Sequence, residues 1–149
     1  MFKSIPTAPL LLTLSGIAPF IGLSLGMVIL QENVGLLITL ALWLLVYAAV
    51  ISSFVAGIRW GAEIALKEAP SASILTVSVI PPLLAWLAVG LYFRFSTRPE
   101  GFLALAVIFA ALYAWDRGSR DLPAWYRSLR VWPTLGASFS LLLAYILLR

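Results

Sequence analysis

The chain has 149 residues, of which 62% are hydrophobic and 11% are charged, so a soluble fold would leave too much apolar surface in water. It contains no Cys and no His, which excludes thiol nucleophiles, disulfides, histidine bases and the usual ligand sets of zinc, haem and iron–sulfur centres. The net charge is +4, but the basic residues are spread between apolar runs, which is typical of membrane orientation and not of nucleic-acid binding.

Five apolar runs are long enough to cross a membrane as helices. We predict spans at residues 10–30, 35–58 with a continuation to 68, 74–93, 101–117 and 131–148. Residues 122–130 begin with Leu-Pro and carry apolar side chains on one face, which predicts a short helix lying in the interface. The predicted fold class is therefore all-α: a single-domain polytopic integral membrane protein, a five-helix bundle with an interfacial helix between its last two spans.

The second span carries small residues at every fourth position. These residues are Ala49, Ser53, Gly57 and Gly61. A GxxxG-like row of this kind lets another helix backbone approach closely, so we predict that it packs inside the bundle and makes this span the central helix. The last span carries a second small row, which consists of Gly136, Ser140 and Ala144.

The distribution of Lys and Arg predicts the orientation. With five spans, seven basic residues fall on the side of the N-terminus and three on the other: Lys3, Arg59, Lys67, Arg117, Arg120, Arg127 and Arg130 against Arg94, Arg98 and Arg149. The positive-inside rule then places the N-terminus in the cytoplasm and the C-terminus outside. Because no Arg/Ser-rich presequence precedes the first span, we expect a bacterial inner (plasma) membrane.

Polar and aromatic residues near the cytoplasmic ends of the spans form a candidate ligand-binding site. They are Arg59, Trp60, Glu63, Asp116, Trp125, Tyr126 and Arg130. An unpaired charge at membrane depth is costly, so we expect Asp116 or Glu63 to neutralise Arg59. The spacing of four also predicts pairs of Asp116 with Arg120 and of Arg117 with Asp121. The cluster has two interpretations: a salt-bridge clamp between the second and fourth spans, or a site whose arginines bind phosphate or carboxylate.

Two segments resemble a known family. Gly57-Ile58-Arg59-Trp60-Gly61 and Leu122-Pro123-Ala124-Trp125-Tyr126 are similar to the most specific segments of the family of transmembrane protein 69 and its bacterial relatives, a domain of unknown function. The resemblance covers nearly the whole chain. It implies a small polytopic protein of bacterial plasma or mitochondrial inner membranes, and it implies no activity.

We therefore expect a non-catalytic protein without cofactor, metal or nucleic-acid partner. Its expected role is to bind a lipid-like, amphipathic ligand or a membrane-protein partner, a second copy included, as a scaffold or assembly factor in the bilayer. The alternative is a small carrier or proton-coupled transporter that uses Glu63 and Asp116.

Overall fold

The computed structural model describes residues 5–95 and 99–149, and Lys3 and Arg98, which enter the orientation count, lie outside these ranges. The described residues form six helices: α1 (Thr7–Ile29), α2 (Val34–Leu66), α3 (Ala72–Arg94), α4 (Glu100–Gly118), α5 (Ala124–Leu129) and α6 (Val131–Leu147). Five segments are long and apolar enough to cross a membrane, the fifth being α5 and α6 taken together. The prediction of an all-α membrane bundle is confirmed.

Local sequence signals account for the ends of these helices. The side chain of Asn33 caps α2 by accepting a hydrogen bond from the backbone N–H of Leu36 at 3.1 Å. Pro70 lies between α2 and α3, and a proline disfavours helical backbone at the residue that precedes it. Only Arg130 separates α5 from α6, and its backbone is itself helical, so the segment predicted to lie in the interface leads directly into the last span.

Helix α2 is central, as predicted, because it contacts α1, α3, α4 and α6. Its fully buried face contains Leu44, Ala48, Ser52 and Ala56. The predicted packing row lies one residue further along. A methyl group added to Gly57 or Gly61 would meet no neighbouring atom within 4 Å in the described part of the chain.

For the single chain the prediction is therefore wrong at Gly57 and Gly61, whereas Ala49 packs against the core and Ser53 is half-buried. The physical reason is that two adjacent rows of α2 are both small, so residue size alone does not choose between them. Arg59 and Glu63 decide, since charged groups at this depth must face protein, and they lie on the side of Ser52 and Ala56.

The closest helix approach at a glycine lies instead between α1 and α6. A methyl group on Gly136 would lie 3.0 Å from Ile17 Cγ2, so Ile17 would have to shift by a few tenths of an ångström. One turn later, the hydroxyl of Ser24 donates to that of Ser140 at 3.3 Å, and Ala144 is fully buried. The small row of the last span is thus the seam along which α6 approaches α1.

Candidate functional site

Helix α5 is positioned by its apolar face. Pro123 precedes it, and the Pro123 carbonyl accepts a hydrogen bond from the backbone N–H of Arg127 at 3.2 Å, which starts the helical turn. Leu122 and Leu129 are buried, whereas Trp125 and Tyr126 are half-buried. All four of these apolar and aromatic residues line one cavity, so this face turns toward the inside of the bundle.

The cavity lies between α1, the second half of α2, and the α5–α6 segment, and its volume is about 600 Å³. Its wall includes Thr13, Gly16, Ile17 and Phe20 of α1, Ile51, Phe54, Val55 and Ile58 of α2, and Trp125, Tyr126, Leu129, Arg130 and Pro133. The wall is almost wholly apolar. Leu12 and Phe54 belong to it and are also exposed on the outer surface, so the cavity borders the region that lipid occupies.

One end of the cavity is polar because a buried ion pair lies there. Arg130 Nε is 3.0 Å from Asp116 Oδ2, and Arg130 and Asp116 are 5% and 0% exposed. The Tyr126 hydroxyl donates to the same carboxylate oxygen at 3.3 Å. Within the described residues, Arg130 Nη2 and Asp116 Oδ1 are buried and have no hydrogen-bond partner. The pair ties α4 to the start of α6 and retains unused hydrogen-bonding capacity.

Arg59 does not pair with either predicted acid. Among the described residues it forms no ion pair within 4 Å; it donates a hydrogen bond from Nη1 to Ser119 Oγ, and its Cζ lies 4.5 Å from the ring centroid of Trp115. The expected ion pair of Arg59 with Asp116 or Glu63 does not form, since each acid contacts another basic partner. A hydroxyl and an aromatic face hold this guanidinium, which is 6% exposed.

Glu63 belongs to a separate group at the turn between α2 and α3. Its Oε2 is 3.0 Å from Lys67 Nζ, and its Oε1 accepts the backbone N–H of Ser71 at 2.7 Å, at the start of α3. Lys67 Nζ also lies 3.7 Å from Asp121. The hydrogen bond to Glu63 raises the pKa of Lys67, so this ion pair persists up to the ordinary pKa of lysine and is lost only as pH rises through the raised value.

Six of the seven predicted site residues therefore fall in three places, and Trp60 lies apart from them. Trp125, Tyr126 and Arg130 line the cavity, with Asp116 behind them; Arg59 lies against α4; Glu63 lies at the α2–α3 turn. Trp60 is 40% exposed and does not line the cavity. The structure thus brings four of the seven together.

The end of α4 explains why the predicted pairs of Asp116 with Arg120 and of Arg117 with Asp121 do not form. The helix ends at Gly118 and Ser119 is extended, so a spacing of four no longer places side chains on one face. Asp116 contacts Arg130 instead, and Asp121 contacts Lys67.

Sequence reasoning missed Trp115 and Ser119, which bind Arg59 and lie four residues apart near the end of α4. It also did not single out the α1 residues that line the cavity, where the local signals are Thr13, Ser15 and Gly16 in a mostly apolar segment. Among the described residues, no three His, Cys, Asp or Glu side chains are placed to hold a metal ion.

Comparisons with known proteins agree with this architecture. The family described as "Protein of unknown function (DUF3429)" matches residues 5–146. Transmembrane protein 69 of Xenopus tropicalis is 34% identical over 142 residues, which cover 93% of this chain and 54% of that relative, so the chain spans about half the relative's length. No solved structure matches. The chain is a membrane protein that belongs to the DUF3429 family of unknown function and is similar in sequence to transmembrane protein 69.

Proposed function

We propose that this protein binds an amphipathic, lipid-like molecule of the membrane in the cavity between α1, α2 and the α5–α6 segment. The apolar part of the ligand occupies the cavity, and its polar head lies at Tyr126 and Arg130. The observation that carries the proposal is an apolar cavity of about 600 Å³ that ends at Arg130, a buried arginine whose Nη2 has no hydrogen-bond partner among the described residues.

The dimensions and chemistry of the cavity support this ligand class. Its volume is within the range of about 300 to 1,000 Å³ that is usual for small-molecule sites, and such sites combine an apolar wall with a few polar groups. Leu12 and Phe54 at its edge are exposed, so a lipid can enter sideways from the bilayer without crossing water.

We further propose that the role is non-catalytic, in a bacterial inner membrane with the N-terminus in the cytoplasm. The non-catalytic role is supported by the lack of Cys and His in the sequence and by the contacts of the buried acids Glu63 and Asp116 with basic partners. The orientation is supported by the position of most described basic residues at the cavity end. The ligand would then come from the cytoplasmic leaflet.

A matched pair of substitutions tests the cavity. Thr13→Trp fills part of it, because Thr13 lines the wall, whereas Thr39→Trp places the same side chain on an exposed position outside the wall. Native mass spectrometry of gently solubilised protein should show retained lipid on the wild type and on Thr39→Trp, and loss of at least about tenfold on Thr13→Trp. Equal retention by both variants would overturn the proposal.

A further inference from the structure

Charge at the polar end of the cavity is unbalanced among the described residues. Asp116 contacts Arg130, and Glu63 and Asp121 both contact Lys67. Arg59 and Arg127 have no carboxylate within 4 Å in the described ranges, and the Nε atom of each is buried without a hydrogen-bond partner there. Among these groups four bases face three acids, because Glu63 and Asp121 share Lys67, so this end of the bundle holds one positive charge in excess.

The free-energy cost of this excess positive charge depends on how deeply each arginine is buried. Arg59 is almost fully buried, and its direct contacts, the Ser119 hydroxyl and the Trp115 ring, are neutral, whereas every carboxylate of the described residues lies beyond ion-pair distance. A buried cation without a counter-ion is strongly disfavoured, and charges interact over longer distances in a poorly polarisable interior than in water. The site as built is therefore complementary to a negative charge.

The cavity is where that charge can enter. Arg130 lines it, and its Nη2 is a buried donor without a hydrogen-bond partner among the described residues. We infer that the head group bound at Arg130 is an anion, a phosphate or a carboxylate, attached to an apolar chain. This inference rests on the proposed function and adds the chemical class of the ligand.

Three probes with one tail test the head group. Oleate, oleyl phosphate and oleyl alcohol share their chain and differ only in carboxylate, phosphate or neutral hydroxyl, and their affinities for the purified protein can be measured by native mass spectrometry titration. Oleate or oleyl phosphate should bind at least about tenfold more tightly than oleyl alcohol, because an ionised acceptor adds a Coulombic attraction to the Arg130 guanidinium that a neutral hydroxyl lacks. The anion that binds with the higher affinity shows whether the head group is a carboxylate or a phosphate.

Arg130→Lys keeps the charge opposite Asp116 but removes the guanidinium nitrogens, so the fold should survive while anion preference falls about tenfold. Arg117→Lys is the matched control, since Arg117 is exposed and outside the cavity wall.

The titrations also separate the two proposals. If all three probes bind equally and Thr13→Trp weakens the binding of all of them, the cavity is the binding site and the proposal of an anionic head group is wrong. If no probe binds to the wild type, both proposals fail.

Discussion

At the scale of single residues, the buried arginines are held in two different ways. Arg130 faces a carboxylate, whereas Arg59 faces an aromatic ring and a hydroxyl. A buried ion pair contributes little net stability, but breaking it by removing one partner costs several kcal/mol, because the remaining charge loses its compensation. Arg59 presents no such dependence on an acid.

This difference predicts the effect of neutralising Asp116. Asp116→Asn keeps the shape of the side chain but leaves Arg130 buried without a counter-ion, so it should lower the free energy of unfolding by about 3 kcal/mol. Asp121→Asn is the control; its acid is exposed and 3.7 Å from Lys67, and the cost should be at most about 1 kcal/mol. Thermal unfolding in detergent measures both, and similar shifts would contradict the assignment of the buried pair.

At the scale of helices, two rows of small residues in this chain behave differently. The row of α6 lies against α1, where a side chain on Gly136 would press against Ile17. The row of α2 that contains Gly57 and Gly61 faces away from the other described helices. Small residues permit close approach, but contact requires a helix on that side.

A pair of glycine substitutions separates these two cases. Gly136→Leu must displace Ile17 or separate α6 from α1, and overpacking of this kind costs about 1 to 3 kcal/mol. Gly57→Leu gains the same helix propensity but adds its side chain to an exposed position, so stability should be unchanged or slightly higher. The readout is the unfolding temperature in detergent. A larger loss for Gly57→Leu would show that another chain covers that face.

The helices themselves could be predicted from the sequence because each depends on a local signal: an apolar run, a capping Asn33, a Pro70 between two spans. The partner of Arg59 could not be predicted from the sequence, since Ser119 is sixty positions away and its orientation depends on how α4 ends at Gly118. Likewise the sequence predicts that α5 has an apolar face, but only the packing of α1 against α6 makes that face the wall of a cavity.

At the scale of the whole molecule, charge and cavity coincide. The described ion pairs, the buried arginines and the cavity all lie toward the end of the bundle where α2 and α4 finish and α5 begins. Basic residues are also concentrated there, while Arg94 and Arg149 lie at the other end. The same basic residues would then orient the protein in the membrane and mark the ligand site. The site would therefore face one leaflet only.

The absence of cysteine allows that arrangement to be tested without background labelling. Glu32→Cys places a thiol in the exposed turn between α1 and α2, and Arg120→Cys places one in the exposed segment between α4 and α5. These positions are three membrane crossings apart, so a membrane-impermeant maleimide should label only one of them in intact cells. The proposed orientation makes Glu32→Cys the labelled variant, with Arg120→Cys reacting only after permeabilisation. The reverse pattern would retain the crossings and overturn the orientation, whereas equal labelling in sealed cells would contradict the order of the spans.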